Sequence, residues 1–247
     1  MKTAGWVKLA CALLVAGAVS CGGGEASFRI KYRFDDVLIA GVDPSQKTSV
    51  VDAQQRIIVA QQEWQKASHD VEEMKTQTAL AQGDLDVKRT VERQAKLESS
   101  VAVKTADQNR IGNANRALRT AGLGRTMAQK KVAYMKAKRD YLKWQQKYYK
   151  TRVDFETAGY ELAKARIAAS RNIRPKGFNL QNYINQQAEG ARFLNRMKGS
   201  SAKSQQGMVR AQASYSQANS AYLASRGTPI QPATGGPGMT PTPTTGP

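Results

Sequence analysis

The sequence predicts an all-α fold: an elongated antiparallel coiled coil of about three long helices, preceded by a short strand-like segment and followed by a disordered tail. Three observations carry this expectation. Apolar or small residues recur at alternating three- and four-residue spacings from Val50 to Leu85. Met127, Tyr134, Tyr141, Tyr148, Phe155, Leu162 and Ala169 fall every seven residues. Two turn signals, Ala121-Gly122-Leu123-Gly124 and Arg174-Pro175-Lys176-Gly177, divide the pattern. Helices joined by short turns pack as antiparallel neighbours.

The strand-like segment occupies residues 28–42. Phe28-Arg29-Ile30-Lys31-Tyr32-Arg33-Phe34 alternates apolar and basic residues, which puts aromatics on one face of an extended chain and cations on the other. Val37-Leu38-Ile39 could pair back onto it. Two such strands are marginal alone, so the segment needs a surface: its own helices, a partner's sheet edge or the membrane interface. Asp43-Pro44-Ser45-Gln46 then reads as a helix start, with Asp43 as cap, Pro44 at the first helical position and Gln46 closing a capping box.

The coiled-coil domain spans 43–226, with helices expected over 44–121, 126–172 and 179–225. The first carries Val50, Ala53, Ile57, Ala60, Trp64, Ala67, Val71, Met74, Thr78, Ala81 and Leu85 at heptad core positions. The pattern weakens over 88–110, and Gly83 and Gly112 are candidate interruptions. The second helix has two apolar stripes. One is the seven-residue series from Met127, with Ala137, Trp144, Thr151, Ala158 and Ala165 beside it; the other is Val132, Met135, Leu142, Tyr149, Val153, Tyr160 and Ile167. A helix apolar on two sides is gripped from both, so it should be the central one. The third helix repeats the heptad from Leu180 and Tyr183 through Tyr222. Its seam is small and polar around Gly199-Ser200-Ser201, which makes it the least stable of the three. Residues 227–247 are Pro, Thr and Gly without apolar periodicity, the composition of a linker.

The N-terminus supplies an address. Lys2 and Lys8 precede or enter an apolar run, Leu9 to Val19, that is too short to span a bilayer, and small residues lead to Cys21-Gly22-Gly23-Gly24. Ala18-Val19-Ser20-Cys21 resembles the lipobox of bacterial lipoproteins. The resemblance implies cleavage of a signal peptide over 1–20, acylation of Cys21, and a lipidated tether over 21–27. Ala18-Val19-Ser20 also satisfies the small-x-small rule of ordinary signal cleavage, which would release a soluble chain. Glycine rather than aspartate after the cysteine implies sorting to the outer membrane. Removal of the signal also removes Cys11, so no internal disulfide is available to the mature chain.

Charge is distributed unevenly. The chain holds 38 basic and 19 acidic residues, a net charge of +19, and loss of Lys2 and Lys8 leaves +17. Residues 22–109 carry 12 basic and 14 acidic side chains, whereas residues 110–226 carry 24 and 5. A solvated helix needs charge but not charge of one sign, so the excess points to an acidic partner or surface. On the second helix, Lys131, Lys138, Arg152 and Arg166 lie between the stripes on one flank. Lys136, Lys143, Lys150 and Lys164 lie on the other. These eight are the candidate binding residues.

Nothing in the sequence assembles a catalytic set. His69 is the single histidine, at an outward heptad position between Ser68 and Asp70, and no second histidine or thiolate accompanies it. The pairs Glu72-Glu73 and Asp84/Asp86 read as solvated charge. Gly122-Leu123-Gly124-Arg125-Thr126 lacks the Gly-Lys-Ser/Thr ending of a phosphate loop, and the tyrosines of the second helix have the spacing of core knobs. No cofactor or metal is therefore called for.

The expected function is that of a non-enzymatic outer-membrane lipoprotein facing the periplasm or the cell surface. It would act as a coiled-coil scaffold or tether, anchored at Cys21 and presenting positive charge away from the lipid. Its partner would be an envelope protein or an anionic wall or lipid surface. Two alternatives stand beside it. One is a subunit of a multiprotein secretion, motility or transport machine, with oligomerisation through the second apolar face of the central helix. The other is a module binding an anionic polymer, wall glycan or extracellular DNA, although nucleic acid fits an exported, tethered chain less well. The long hairpins look like those of bacterial efflux and secretion components in their coiled-coil pattern, without the β domains of those families.

Overall fold

The computed structural model describes residues 28–227. The expected signal segment, Cys21, the expected tether and residues 228–247 lie outside them. The fold is three long helices: α1 (Thr48–Lys104), α2 (Gln108–Ser170) and α3 (Leu180–Gly227), with no β-strand among the described residues. α2 lies between the other two and packs along both, whereas the backbones of α1 and α3 scarcely meet. The result is an antiparallel layer one helix thick. At about 1.5 Å per residue, the 63 residues of α2 extend about 95 Å.

The heptads explain the packing. Val50, Ala53, Ala60, Ala67, Val71, Met74, Thr78, Ala81 and Leu85 are the buried line of α1, and the alanines let the backbones come close. Ala81 and Leu85 meet Ala128, Val132 and Met135, so the second stripe of α2 is the one that faces α1. The first stripe faces α3. Tyr134 stacks on Tyr215 with 6.1 Å between ring centroids, and Phe155 packs near Gly190. Both stripes are thus filled within the chain. The second apolar face, expected as an oligomerisation surface, is occupied by α1.

The first turn is not where the glycines suggest. α1 ends at Lys104, and α2 begins at Gln108 and runs straight through Gly122 and Gly124. The connection is Thr105-Ala106-Asp107. Ala106 takes φ 55°, and the Asp107 carboxylate accepts from the N–H groups of Asn109 and Arg110, which caps α2. Gly124 is instead a packing residue. A Cβ there would stand 3.0 Å from the Tyr222 ring of α3, so the missing side chain admits that ring. Gly83 and Gly112 interrupt nothing. The second turn falls as expected, with Asn172 at φ 56° and Gly177 at φ 78°.

Residues 28–34 are extended but pair with no strand, and Val37-Leu38-Ile39 lies in a 3₁₀ turn (Asp36–Ile39) rather than in a second strand. The period-two reading describes the side chains only in part. Phe28 and Phe34 are buried and Ile30 is half-buried; Arg29, Lys31 and Arg33 are exposed, but Tyr32 is exposed as well. The surface they meet is the chain's own α2 and α3. Asp43 caps a further 3₁₀ turn, Pro44–Gln46, through the Ser45 N–H. α1 then starts at Thr48, and Gln46 accepts a hydrogen bond from Arg171 instead of closing a capping box.

Candidate functional site

The extended segment is a strap laid in the groove between α2 and α3. Phe28 packs with Ala158 and Phe193, its ring 6.4 Å from that of Phe193. Phe34 joins Ile39, Val50, Leu162, Ala165, Ala168 and Tyr183 in a cluster that ties the strap to all three helices. Gly190 makes room for the Phe28 ring, since a Cβ there would lie 3.1 Å from it.

An extended backbone without a strand partner needs other hydrogen-bonding groups. Helix side chains supply them. The Gln186 amide oxygen accepts from the N–H groups of Lys31 at 2.7 Å and Tyr32 at 2.8 Å, and its amide nitrogen donates to the Tyr32 carbonyl at 3.0 Å. The Phe34 N–H donates to Glu161 at 2.6 Å, and Lys164 donates to the Phe34 carbonyl at 2.7 Å. The Tyr183 hydroxyl donates to the Arg33 carbonyl at 3.3 Å. Two side chains one helical turn apart, Glu161 and Lys164, thereby do for Phe34 what a neighbouring strand would do.

Lys164 corrects the sequence-based expectation. Its heptad position groups it with the exposed cations of its flank, but it is only 2% exposed. Its ammonium lies 2.9 Å from both Glu161 and Asp36. Burial works to lower its pKa. Its hydrogen bonds to Asp36 and Glu161 outweigh that and hold it above the ordinary lysine value. The Tyr183 hydroxyl is raised mainly by burial, with the Glu161 charge adding to the effect. Nothing in heptad spacing reveals Glu161, Tyr183 and Gln186 as a clamp. The available signal is the crowd of alanines at 158, 163, 165, 168 and 169, which puts small residues on every side of the last turns of α2.

The remaining cations divide by flank. Lys131 pairs with Asp84 at 2.7 Å, and Arg152 pairs with Glu63; both reach across to α1 and are about one-third exposed. Lys138 is half-buried on the same side, and Arg166 is exposed. On the opposite flank Lys136, Lys143 and Lys150 are exposed, and among the described residues none of them forms an ion pair. Asp154 lies near Lys150. Burial pushes its carboxyl above the usual range, partly opposed by that lysine. The structure therefore leaves one open row of three lysines, in line with the position where the strap covers Lys164.

Two other features carry polar chemistry. His69, Asp70 and Glu73 bring one ligand atom each within 4.8 Å of one another on a solvent-facing turn of α1, which i, i+1 and i+4 spacing produces by helix geometry alone. Where α3 ends against the longer α1–α2 hairpin, an open recess of about 760 Å³ is lined by Lys88, Arg116, Arg119 and Arg226 together with Val91 and Tyr222. No helix among the described residues is long and apolar enough to cross a membrane. No protein-family model, curated protein or solved structure matches the chain.

Proposed function

We propose that the protein is a non-enzymatic envelope lipoprotein, anchored in the outer membrane through Cys21, in which the helical layer serves as a stiff scaffold. The observation that supports this most directly is the strap. The residues that follow the tether are fastened to α2 and α3 by buried aromatic rings and side-chain hydrogen bonds. A tether that bears load needs such an attachment, because a loose linker would let the body swing free of its anchor.

The test is metabolic labelling with a radioactive or clickable palmitate in cells expressing the chain or its Cys21→Ser variant. Label on the parent alone, with the variant moving to the soluble fraction, is the expected result. An unlabelled parent that washes off membranes with salt would sink the anchor. Photocrosslinking in cells from Lys143 should then capture wall, lipid or a defined envelope protein; capture of nothing would remove the scaffold role. A second reading, a subunit of a larger envelope machine, is favoured by the basic recess at the end of α3, whose lining carries four cations and no carboxylate.

A further inference from the structure

The run of the strap bears on where a lipid anchor at Cys21 would join the body. From Phe28 to Ile39 the strap passes Ala158, Glu161, Lys164 and Ala168 in that order, so it runs parallel to α2. Its upstream end therefore faces along the flank toward Lys150. It does not face off the nearby end of the layer. Cys21 lies seven residues before Phe28, a reach of about 25 Å at most. From Ala158 to Ser170 at the end of α2 is about 18 Å, whereas Lys150 and Lys143 lie about 12 and 22 Å in the opposite direction at 1.5 Å per residue. An upright body would force the tether to double back and use most of its reach. A body lying on this flank lets the tether continue in its own direction.

The same flank carries the open lysines. Positions 136, 143 and 150 follow one another at heptad spacing, and the next two members of the series are half-buried Thr157 and strap-covered Lys164. The strap adds Arg29, Lys31 and Arg33 on its exposed face. Of the carboxylates nearby, Asp36 pairs with Lys164 and Asp154 is half-buried, whereas Asp35 and Asp140 are exposed and are outnumbered by the six exposed cations. We infer that this flank, with Lys136, Lys143, Lys150 and the outer face of the strap, rests on the anionic phospholipid headgroups of the leaflet that holds the anchor, so that the helical layer lies along the membrane with its positive charge toward the lipid. The inference rests on the anchor reading above and reverses the sequence-based expectation that the charge points away. An acyl chain and a basic patch together hold a protein at an anionic surface far better than either alone.

The mature chain carrying Cys21→Ser, which lacks the acyl chains, separates the two ideas. It is mixed with vesicles of phosphatidylethanolamine and phosphatidylglycerol, or of phosphatidylcholine alone. At low salt, binding to the anionic vesicles is expected to be at least about tenfold tighter. The triple variant Lys136→Glu, Lys143→Glu, Lys150→Glu should lose that preference. Reversal of Lys88, Arg116 and Arg119, at the distal recess, should retain most of it. Equal binding to both vesicle types, or loss confined to the distal variant, overturns the inference. In the lipidated protein, donor fluorophores at positions 143 and 106 should both transfer energy to a headgroup acceptor. Transfer from 143 without transfer from 106 means an upright body and also overturns it. Absence of palmitate with retained vesicle preference would remove the anchor and leave the lipid-facing flank standing; palmitate with no preference would do the reverse.

Discussion

Gln186 concentrates the dependence of the strap on a few atoms, because one buried amide meets three backbone groups of Lys31 and Tyr32. Gln186→Leu keeps the volume and orphans those groups. It should cost about 1–3 kcal/mol in urea unfolding, and amide exchange at Lys31 and Tyr32 should accelerate before that of α2. Lys164 gives the strap a pH dependence. Its folded pKa is raised, so its contribution is fully present below the unfolded lysine value of about 10.4 and is lost as pH rises through the higher folded value. Lys164→Met should flatten this alkaline limb. It should also destabilise by about 3–5 kcal/mol near neutrality, since Glu161 is left buried without its cation. Unfolding curves collected across that pH range check both effects. Lys164 is illegible in the sequence for a physical reason. Its heptad position faces outward in any helix hairpin, and it is buried by a segment 130 positions away.

The elements are largely legible. Heptad spacing alone names most of the buried line of α1, with Ile57 and Trp64 left half-buried, and the two stripes of α2, because antiparallel packing leaves little other place for residues at that period. The turn at Thr105-Ala106-Asp107 is not, since it contains neither Gly nor Pro and relies on an Asp cap, whereas Gly122 and Gly124 imitate a turn inside α2. Glycines in these helices divide by their surroundings. A methyl group added at Gly83 would meet nothing within 4 Å, so Gly83→Ala should raise stability by about 0.5–1 kcal/mol through helix propensity. At Gly190 the Phe28 ring at 3.1 Å and Phe155 at 3.3 Å oppose the same gain. Gly190→Ala should be net destabilising and should loosen Phe28 first. Paired thermal melts and the fluorine resonance of a fluorinated Phe28 would report the contrast; stabilisation at both sites would show that the ring yields freely.

At the scale of the whole molecule, the single layer determines shape. α1 and α3 lie on different sides of α2 and scarcely touch, so the length of α2 sets the long dimension. Small-angle scattering from a chain beginning at Gly22 should give a largest dimension of at least about 95 Å; a value near 50 Å would mean that the hairpins fold back on one another. The order of the chain adds a matter of timing. The strap is made first, yet its clamp lies 127 to 155 positions later, on α2 and α3. The α1–α2 hairpin can close as soon as its two arms exist, because its contacts are the nearer ones along the chain. Until α3 arrives, Phe28 and Phe34 have only half a groove and the backbone of Lys31 and Tyr32 has no partner. A chain that emerges from its N-terminus thus fastens its leading segment last, and the docked strap reports that all three helices are in place.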